Sequence, residues 1–205
     1  MTQVMPTQVT FDEFIAWYPE NSEYRYELHD GVIVQMPQPT GKHSKVAGFT
    51  MAELNFEIRR LRLPYFIPKE CVVKPDNDRS GYEPDTIVLD EQAVKSEPRW
   101  EKDSTITQGS SVKLIVEVVS SNWQDDYLIK LAEYEKLGIP EYWIVDYLGL
   151  GGLRYIGNPK QPTISVYQFV EGEYQVNLFR SSDKIQSLTF PELELTAEQI
   201  FQGGR

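Results

Sequence analysis

Apolar and polar residues alternate in some segments of the chain and recur with helical spacing in others. Residues 24–36 alternate around a central Asp-Gly dipeptide, which favours a two-residue hairpin turn. Between residues 42 and 61 apolar side chains recur at near-helical spacing, and Pro64 ends the predicted helix. Thr10 and Glu13 have the spacing of a capping box, which predicts a short first helix. This part of the chain therefore predicts helix, hairpin and helix.

The remaining chain is dominated by short β-type runs. They lie at 65–73, 85–90, 112–119, 141–147, 163–170 and 173–180. Residues 124–137 have helical spacing and are followed by Gly138 and Pro140, and a last short helix is expected at 196–201. Strand, helix and strand over 112–147 have the length of a βαβ crossover. We expect an α/β fold with a mixed central β-sheet flanked by helices and additional β-hairpins, in a single domain spanning 1–205.

The charge balance narrows the classes of function. The chain has a net charge of −11 and a pI near 4.7, which argues against tight non-specific binding of nucleic acid. A local basic patch or a bridging metal would still be compatible with a phosphate ligand. The single cysteine excludes an internal disulfide, and neither a signal-peptide pattern nor a long apolar run is present. We therefore expect a soluble cytoplasmic protein without membrane contact.

A glutamate interrupts the apolar strand at 112–119. Glu117 shares a face with Ile115 and Val119, and the opposite face is also apolar, so its carboxylate should be buried and must be paired, protonated or bound to metal. Asp85 begins another apolar strand. Two carboxylates meeting at one sheet edge would suit Mg²⁺. The alternatives are a turn role for Asp85 and a buried ion pair for Glu117.

The helix at 124–137 has a lysine at the border of its apolar arc. On a wheel of 100° per residue the arc contains Tyr127, Leu128, Leu131, Ala132, Tyr134 and Leu137. Lys130 lies at the border and could lay its stem along the core while its ammonium reaches the sheet edge. The alternative is an ordinary helical pair between Asp126 and Lys130.

Four segments together resemble a known family. They are YELHDG (26–31), EPD (83–85), LIVEVVS (114–120) and DYLIKLAEYEKLGIPEYWIVD (126–146), within roughly two thirds of the chain. In order and spacing they resemble the Uma family of endonucleases, in the PD-(D/E)XK nuclease superfamily. The resemblance implies a restriction-endonuclease-like fold and metal-dependent hydrolysis of phosphodiester bonds in DNA.

The resemblance also implies roles for individual residues. Asp85 and Glu117 would hold Mg²⁺ or Mn²⁺, Lys130 would polarise the water or the phosphate, and Glu27 would bind metal or orient a water molecule. The chain departs from the superfamily pattern at position 119, where it has Val119 instead of the lysine that the pattern usually contains. The Uma-like pattern supplies this lysine from the next helix, here Lys130. For Glu27 the alternative is a cross-strand partner in the hairpin.

Other functions and partners remain open at this stage. A non-catalytic binding or assembly module that retains the fold would explain the acidic charge and the displaced lysine. A metal-dependent hydrolase of another phosphate ester would share the site chemistry. A homodimer would supply two sites for cutting both DNA strands. Arg59, Arg60 and Arg62 could contact phosphates, although a helix C-terminus favours cations by itself, and His43 is a further candidate near the site entrance.

Overall fold

The fold is described from a computed structural model that covers residues 8–19 and 22–204. Residues 1–7, 20–21 and Arg205 of the predicted single domain lie outside the described residues, and the domain assignment stays a prediction. The α-helices are α1 (Phe11–Trp17), α2 (Gly41–Leu61), α3 (Trp100–Asp103), α4 (Leu131–Lys136), α5 (Leu153–Ile156) and α6 (Ala197–Gln202). A π-helical segment, Asp125–Lys130, leads directly into α4.

The structure contains ten β-strands in the described residues, and their lengths range from two to eight residues. They are β1 (Tyr26–His29), β2 (Val32–Gln35), β3 (Tyr65–Phe66), β4 (Val72–Val73), β5 (Thr86–Asp90), β6 (Thr105–Ile106), β7 (Val112–Val118), β8 (Glu141–Asp146), β9 (Thr163–Val170) and β10 (Glu173–Phe179). Six of them form the central sheet in the order β10-β9-β8-β7-β5-β3. The β7–β8 pair is parallel and the other pairs are antiparallel. The predicted mixed sheet and its crossover are therefore confirmed.

The two faces of the central sheet are covered by different helices. Helices α2 and α6 pack on the face that presents Leu114, Val116 and Val118. The π-helical segment and α4 pack on the opposite face, which presents Ile115 and Val119. Strand β7 is thus buried on both faces, as its sequence predicts, and Glu117 points towards the second face.

Two small sheets complete the fold. β1 and β2 form the predicted hairpin, whose turn residues Asp30 and Gly31 have φ of +46° and +82°, as a type I′ turn requires. The β-type run predicted at 65–73 contains two short strands rather than one. It divides into β3, which pairs with β5, and β4, which pairs with β6, because Pro68 lies between them and cannot donate a ladder hydrogen bond.

The predicted helix at 124–137 is present, but its side chains do not follow the 100° wheel. Leu128, expected in the apolar arc, is 46% exposed, and Ala132 is also exposed, whereas Lys130 is only 3% exposed. The π-helical turn is the physical reason, since its i→i+5 hydrogen bonds accommodate an extra residue and rotate the side chains relative to an α-helix. Lys130 is therefore buried rather than at the border.

Within residues 8–19 and 22–204, no helix combines the length and the apolar character needed to cross a bilayer.

Candidate active site

Strand pairing brings the two acidic candidates together. β5 runs antiparallel to β7, with Thr86 opposite Val116, so the residue that precedes β5 lies beside the end of β7. The backbone N–H of Asp85 lies 3.4 Å from Glu117 Oε2, and the N–H of Val118 donates to Asp85 Oδ2 at 2.8 Å. The expected convergence of Asp85 and Glu117 at one sheet edge is therefore observed.

Lys130 lies at the centre of a cluster of carboxylates. Its Nζ is 3.0 Å from Glu117 Oε1 and 3.0 Å from Glu27 Oε1. Asp126 Oδ1 lies 3.8 Å away, so the helical pair considered from the sequence is present, but it is buried. Tyr134 adds a hydroxyl that donates to Glu117 Oε1 at 3.3 Å. One buried ammonium thus has three carboxylate partners.

Glu27 is more than a cross-strand partner in the hairpin. Its Oε1 accepts from the Glu83 N–H at 3.0 Å as well as from Lys130, and its Oε2 lies 2.8 Å from His29 Nε2. The side chain is buried, and it lies behind Lys130 rather than on the wall of the adjoining cavity. Glu27 is therefore positioned to hold the ammonium of Lys130 in place.

An open cavity of about 320 Å³ gives access to the cluster. The charged side chains on its wall are Arg25, His43, Glu83, Asp85, Glu117, Asp126 and Lys130. Its rim is formed by the segment before α2 and the loop after β8. Asp85, Glu117 and Lys130 therefore all border one cavity.

Sequence reasoning missed Arg25 entirely. Arg25 Nη2 lies 3.6 Å from Asp85 Oδ1. Alternation could have found it, because Arg25, Glu27 and His29 stand at every second position and so share one face of the strand.

His43, a tentative candidate in the sequence, lies on the cavity wall. Its Nε2 is 2.9 Å from the Val118 carbonyl oxygen and 3.5 Å from Asp85 Oδ2. Burial alone would lower the pKa of His43, but the hydrogen bond and the charge of Asp85 raise it overall. Asp85 responds in the opposite direction: burial would raise its pKa, whereas His43, the Val118 N–H and Arg25 together lower it. Asp85 is therefore ionised.

The carboxylates around Lys130 differ in their electrostatics. Burial raises the pKa of Glu117 well above its usual range, and repulsion by neighbouring carboxylates adds to this while Lys130 opposes it. For Glu27, burial is outweighed by Lys130 and His29, which lower its pKa to about 2. Burial raises the pKa of Asp126 to about 7 against the attraction of Lys130. Lys130 therefore pairs with an ionised Glu27, whereas burial favours the protonated forms of Glu117 and Asp126.

The donor set at the sheet edge fits a hard divalent cation. In the described part of the chain, no group of three or more His, Cys, Asp or Glu side chains is arranged to hold a metal ion. Mg²⁺ does not require such a group, because it is commonly held by one or two carboxylates plus water and phosphate oxygens. Asp85 and Glu117 supply two neighbouring carboxyl groups, and a cation bound beside Glu117 would favour its ionised form, which burial disfavours.

The arginines at the end of α2 do not belong to this site. By the helical rise of 1.5 Å per residue, Arg59 lies about 24 Å along the axis from His43. Arg60 forms a bidentate pair with Glu57, at 2.7 and 3.0 Å, and also contacts Glu192. These contacts agree with the alternative given above, in which the arginines lie at the helix C-terminus because cations are favoured there.

Comparisons with known proteins identify the family and the fold of the chain. A family model named Uma2 and described as "Putative restriction endonuclease" matches residues 11–198. The chain belongs to the Uma2 family. Among solved structures this Uma2 chain is similar to "a putative nuclease belonging to DUF820" from Anabaena variabilis ATCC 29413, with 21% identity, a TM-score of 0.69, and coverage of 95% of this chain and 98% of that one.

The family model confirms the predicted family, and the similar solved structure confirms the predicted fold class. At 21% identity the Anabaena structure shows that the Uma2 chain has the same fold, and it does not show a shared activity or shared site residues. A search of curated proteins finds no match.

Proposed function

We propose that this Uma2 protein is a metal-dependent DNA endonuclease that hydrolyses phosphodiester bonds. The observation that supports it most directly is the meeting of Asp85 and Glu117 at the wall of an open cavity, with Lys130 Nζ 3.0 Å from Glu117. The description of the family as restriction endonucleases and the fold shared with a protein called a nuclease support the same class of reaction.

In the proposed mechanism Asp85 and Glu117 are the ligands of Mg²⁺ or Mn²⁺. Such an ion would lower the pKa of a bound water and stabilise negative charge that develops on the phosphate. The hydrolysis forms a bond between the water oxygen and phosphorus, and breaks the bond between phosphorus and one sugar oxygen, which leaves with a proton. Lys130 keeps Glu117 oriented and places a positive charge beside the attacking water.

Glu27 has a supporting role in this proposal. It accepts from Lys130 at 3.0 Å and lies off the cavity wall, so it holds the ammonium against Glu117 instead of contacting substrate. Its low pKa keeps it charged for that purpose. The homodimer stays a prediction. Its basis is that cutting both DNA strands together would require two such sites.

Nicking of supercoiled plasmid in Mg²⁺ or Mn²⁺ tests the proposal. Asp85→Asn removes one ligand charge with little change of shape, and Lys130→Ala removes the ammonium. Arg59→Ala is the matched control, since it removes an exposed charge far from the cavity. We expect nicking by the parent and by Arg59→Ala, loss of at least a hundredfold in both site variants, consistent with the usual cost of removing one group that stabilises transition-state charge, and no nicking in EDTA.

The alternatives give different results. Nicking that persists in Asp85→Asn or in EDTA would contradict the metal mechanism. A parent protein that binds DNA and does not cut it would instead favour the non-catalytic binding module. Hydrolysis of a small phosphate ester without DNA nicking would favour the third class of function.

A further inference from the structure

The candidate nuclease site lacks an obvious partner for the substrate phosphate. Lys130, the usual choice, is only 3% exposed, and its ammonium already contacts Glu27 and Glu117 at 3.0 Å each. The Tyr82 ring covers another side, with its centroid 5.9 Å from Nζ. An ammonium enclosed in this way can act on Glu117 and on an adjoining water, but it is poorly placed to receive the oxygens of a nucleic-acid backbone.

Arg25 and His43 face the cavity from different elements. Arg25 approaches Asp85 Oδ1 from the segment before β1, and His43 approaches Asp85 Oδ2 from the first turn of α2. The side chain of Arg25 is 38% exposed. Its distance of 3.6 Å from Asp85 is longer than a hydrogen bond, so Asp85 does not hold the guanidinium N–H groups in place. The planar fork of an arginine matches two oxygens of a phosphate.

The N-terminus of α2 strengthens this side of the cavity. Thr40 caps the helix by accepting from the His43 N–H, and Pro39 and Thr40 line the cavity. The first turn contains no acidic residue, so the positive end of a 21-residue helix is not offset locally. His43 is 8% exposed, and among the described residues its Nδ1 has no hydrogen-bond partner. Nε2–H donates to the Val118 carbonyl oxygen, so Nδ1 of the neutral imidazole is an acceptor, and His43 borders this side of the cavity without donating to a phosphate oxygen.

We propose that Arg25 and the N-terminal turn of α2 bind the phosphodiester oxygens of DNA beside His43, and that Lys130 is a positioning residue for Glu117. The inference rests on the proposed function for the identity of the substrate. It divides the cavity into a phosphate side, formed by Arg25, His43 and α2, and a water side, formed by Glu117 and Lys130. It also explains how a chain with a net charge of −11 could receive a polyanion, since Arg25 and the positive end of α2 lie on the same side of the cavity.

The test is DNA affinity, measured by fluorescence anisotropy with a fluorescein-labelled duplex and Ca²⁺ in place of Mg²⁺, over a range of salt concentrations. The variants are Arg25→Ala, Arg25→Lys, His43→Gln and the charge-matched control Arg59→Ala. We expect Arg25→Ala to weaken binding about tenfold and to reduce the slope of log K against log salt by about 1. Arg25→Lys should restore the slope and only part of the affinity, because lysine lacks the bidentate fork.

His43→Gln should weaken binding less, and Arg59→Ala should match the parent in both affinity and slope. Thermal melting of each variant shows whether a loss arises from unfolding. An affinity and a salt slope for Arg25→Ala equal to those of the parent would overturn the inference, as would a parent that does not bind the duplex. Plasmid nicking separates the two proposals: binding that depends on Arg25 without nicking would refute the endonuclease and leave the phosphate site standing.

Discussion

At the scale of single residues, Lys130 is the group on which the other charges depend. Glu27, Glu117 and Asp126 surround it within 3.8 Å. Removing the ammonium would leave these buried groups without their cationic partner, a change that usually costs about 3–5 kcal/mol.

Asp126 provides a pH-dependent test of this cluster. Burial raises its pKa to about 7, so the folded protein keeps a proton that the unfolded chain releases near pH 4. Between about pH 4 and pH 7 the folded state binds more protons at this group, and the free energy of unfolding therefore falls as pH rises. Asp126→Asn cannot ionise and should remove this fall. We expect the variant to match the parent at pH 4 and to be more stable at pH 8, measured by urea unfolding without metal.

The comparison between parent and variant isolates this carboxyl, because the other titrating groups are common to both. A stability difference that is the same at pH 4 and pH 8 would contradict the raised pKa of Asp126.

At the scale of elements, the π-helical segment and α4 set the position of Lys130. The π-helical turn directs Lys130 inward, and the end of α4 is seated against the turn before β7. A Cβ built on Gly109 would lie 2.1 Å from the carbonyl oxygen of Leu137. No side chain fits there without displacing backbone, so Gly109 permits the close approach of the helix end to the sheet.

Gly109→Ala should therefore destabilise the protein, by about 2 kcal/mol, through overpacking at this contact. Gly48 in α2 is the matched control, since a Cβ there would meet no heavy atom within 4 Å. Gly48→Ala should stabilise the protein by up to about 1 kcal/mol, because alanine is the better helix former. Urea unfolding of both variants measures the two effects, and a loss of equal size in both would show that the Gly109 contact is unimportant.

At the scale of the whole molecule, the acidic charge and the proposed DNA substrate are reconciled by the distribution of charge. Asp85 and Glu117 lie where β5 begins and β7 ends, and Arg25, His43 and the N-terminus of α2 border the same cavity on the side of Asp85. A protein of net charge −11 should bind DNA weakly away from this cavity. The expected metal is part of this balance, since it adds two positive charges beside Asp85 and Glu117.

Metal binding should appear as a change in thermal stability. At ten times its Kd, a ligand of the folded state adds about 1.4 kcal/mol, which corresponds to a rise in Tm of about 3–6 °C for a chain of this size. We expect Mg²⁺ or Mn²⁺ to raise the Tm of the parent relative to KCl at equal ionic strength, and to leave that of Glu117→Gln unchanged. Equal rises in both proteins, or no rise at millimolar concentrations, would contradict the assignment of Glu117 as a ligand.

Several features of this protein follow from its sequence because they depend on neighbouring residues. Each of three such features depends on residues that are close in sequence, and all three are present: the capping box at Thr10, the Asp30-Gly31 turn and the helix end at Gly138. The placement of Asp85 and Glu117 also followed, because alternation identifies the faces of a strand and strand ends meet at one edge of a sheet.

Other features were decided only by the tertiary structure. The burial of Lys130 depends on a π-helical turn, which no 100° periodicity reveals. The approach of His43 to Val118 joins residues 75 positions apart, and Arg25 reaches Asp85 only when the hairpin packs beside the central sheet. Local pattern specifies which elements form and which faces they bury. The contacts between distant elements set the direction of each charged side chain, because the cost of burying a charge is met only when its partners are in place.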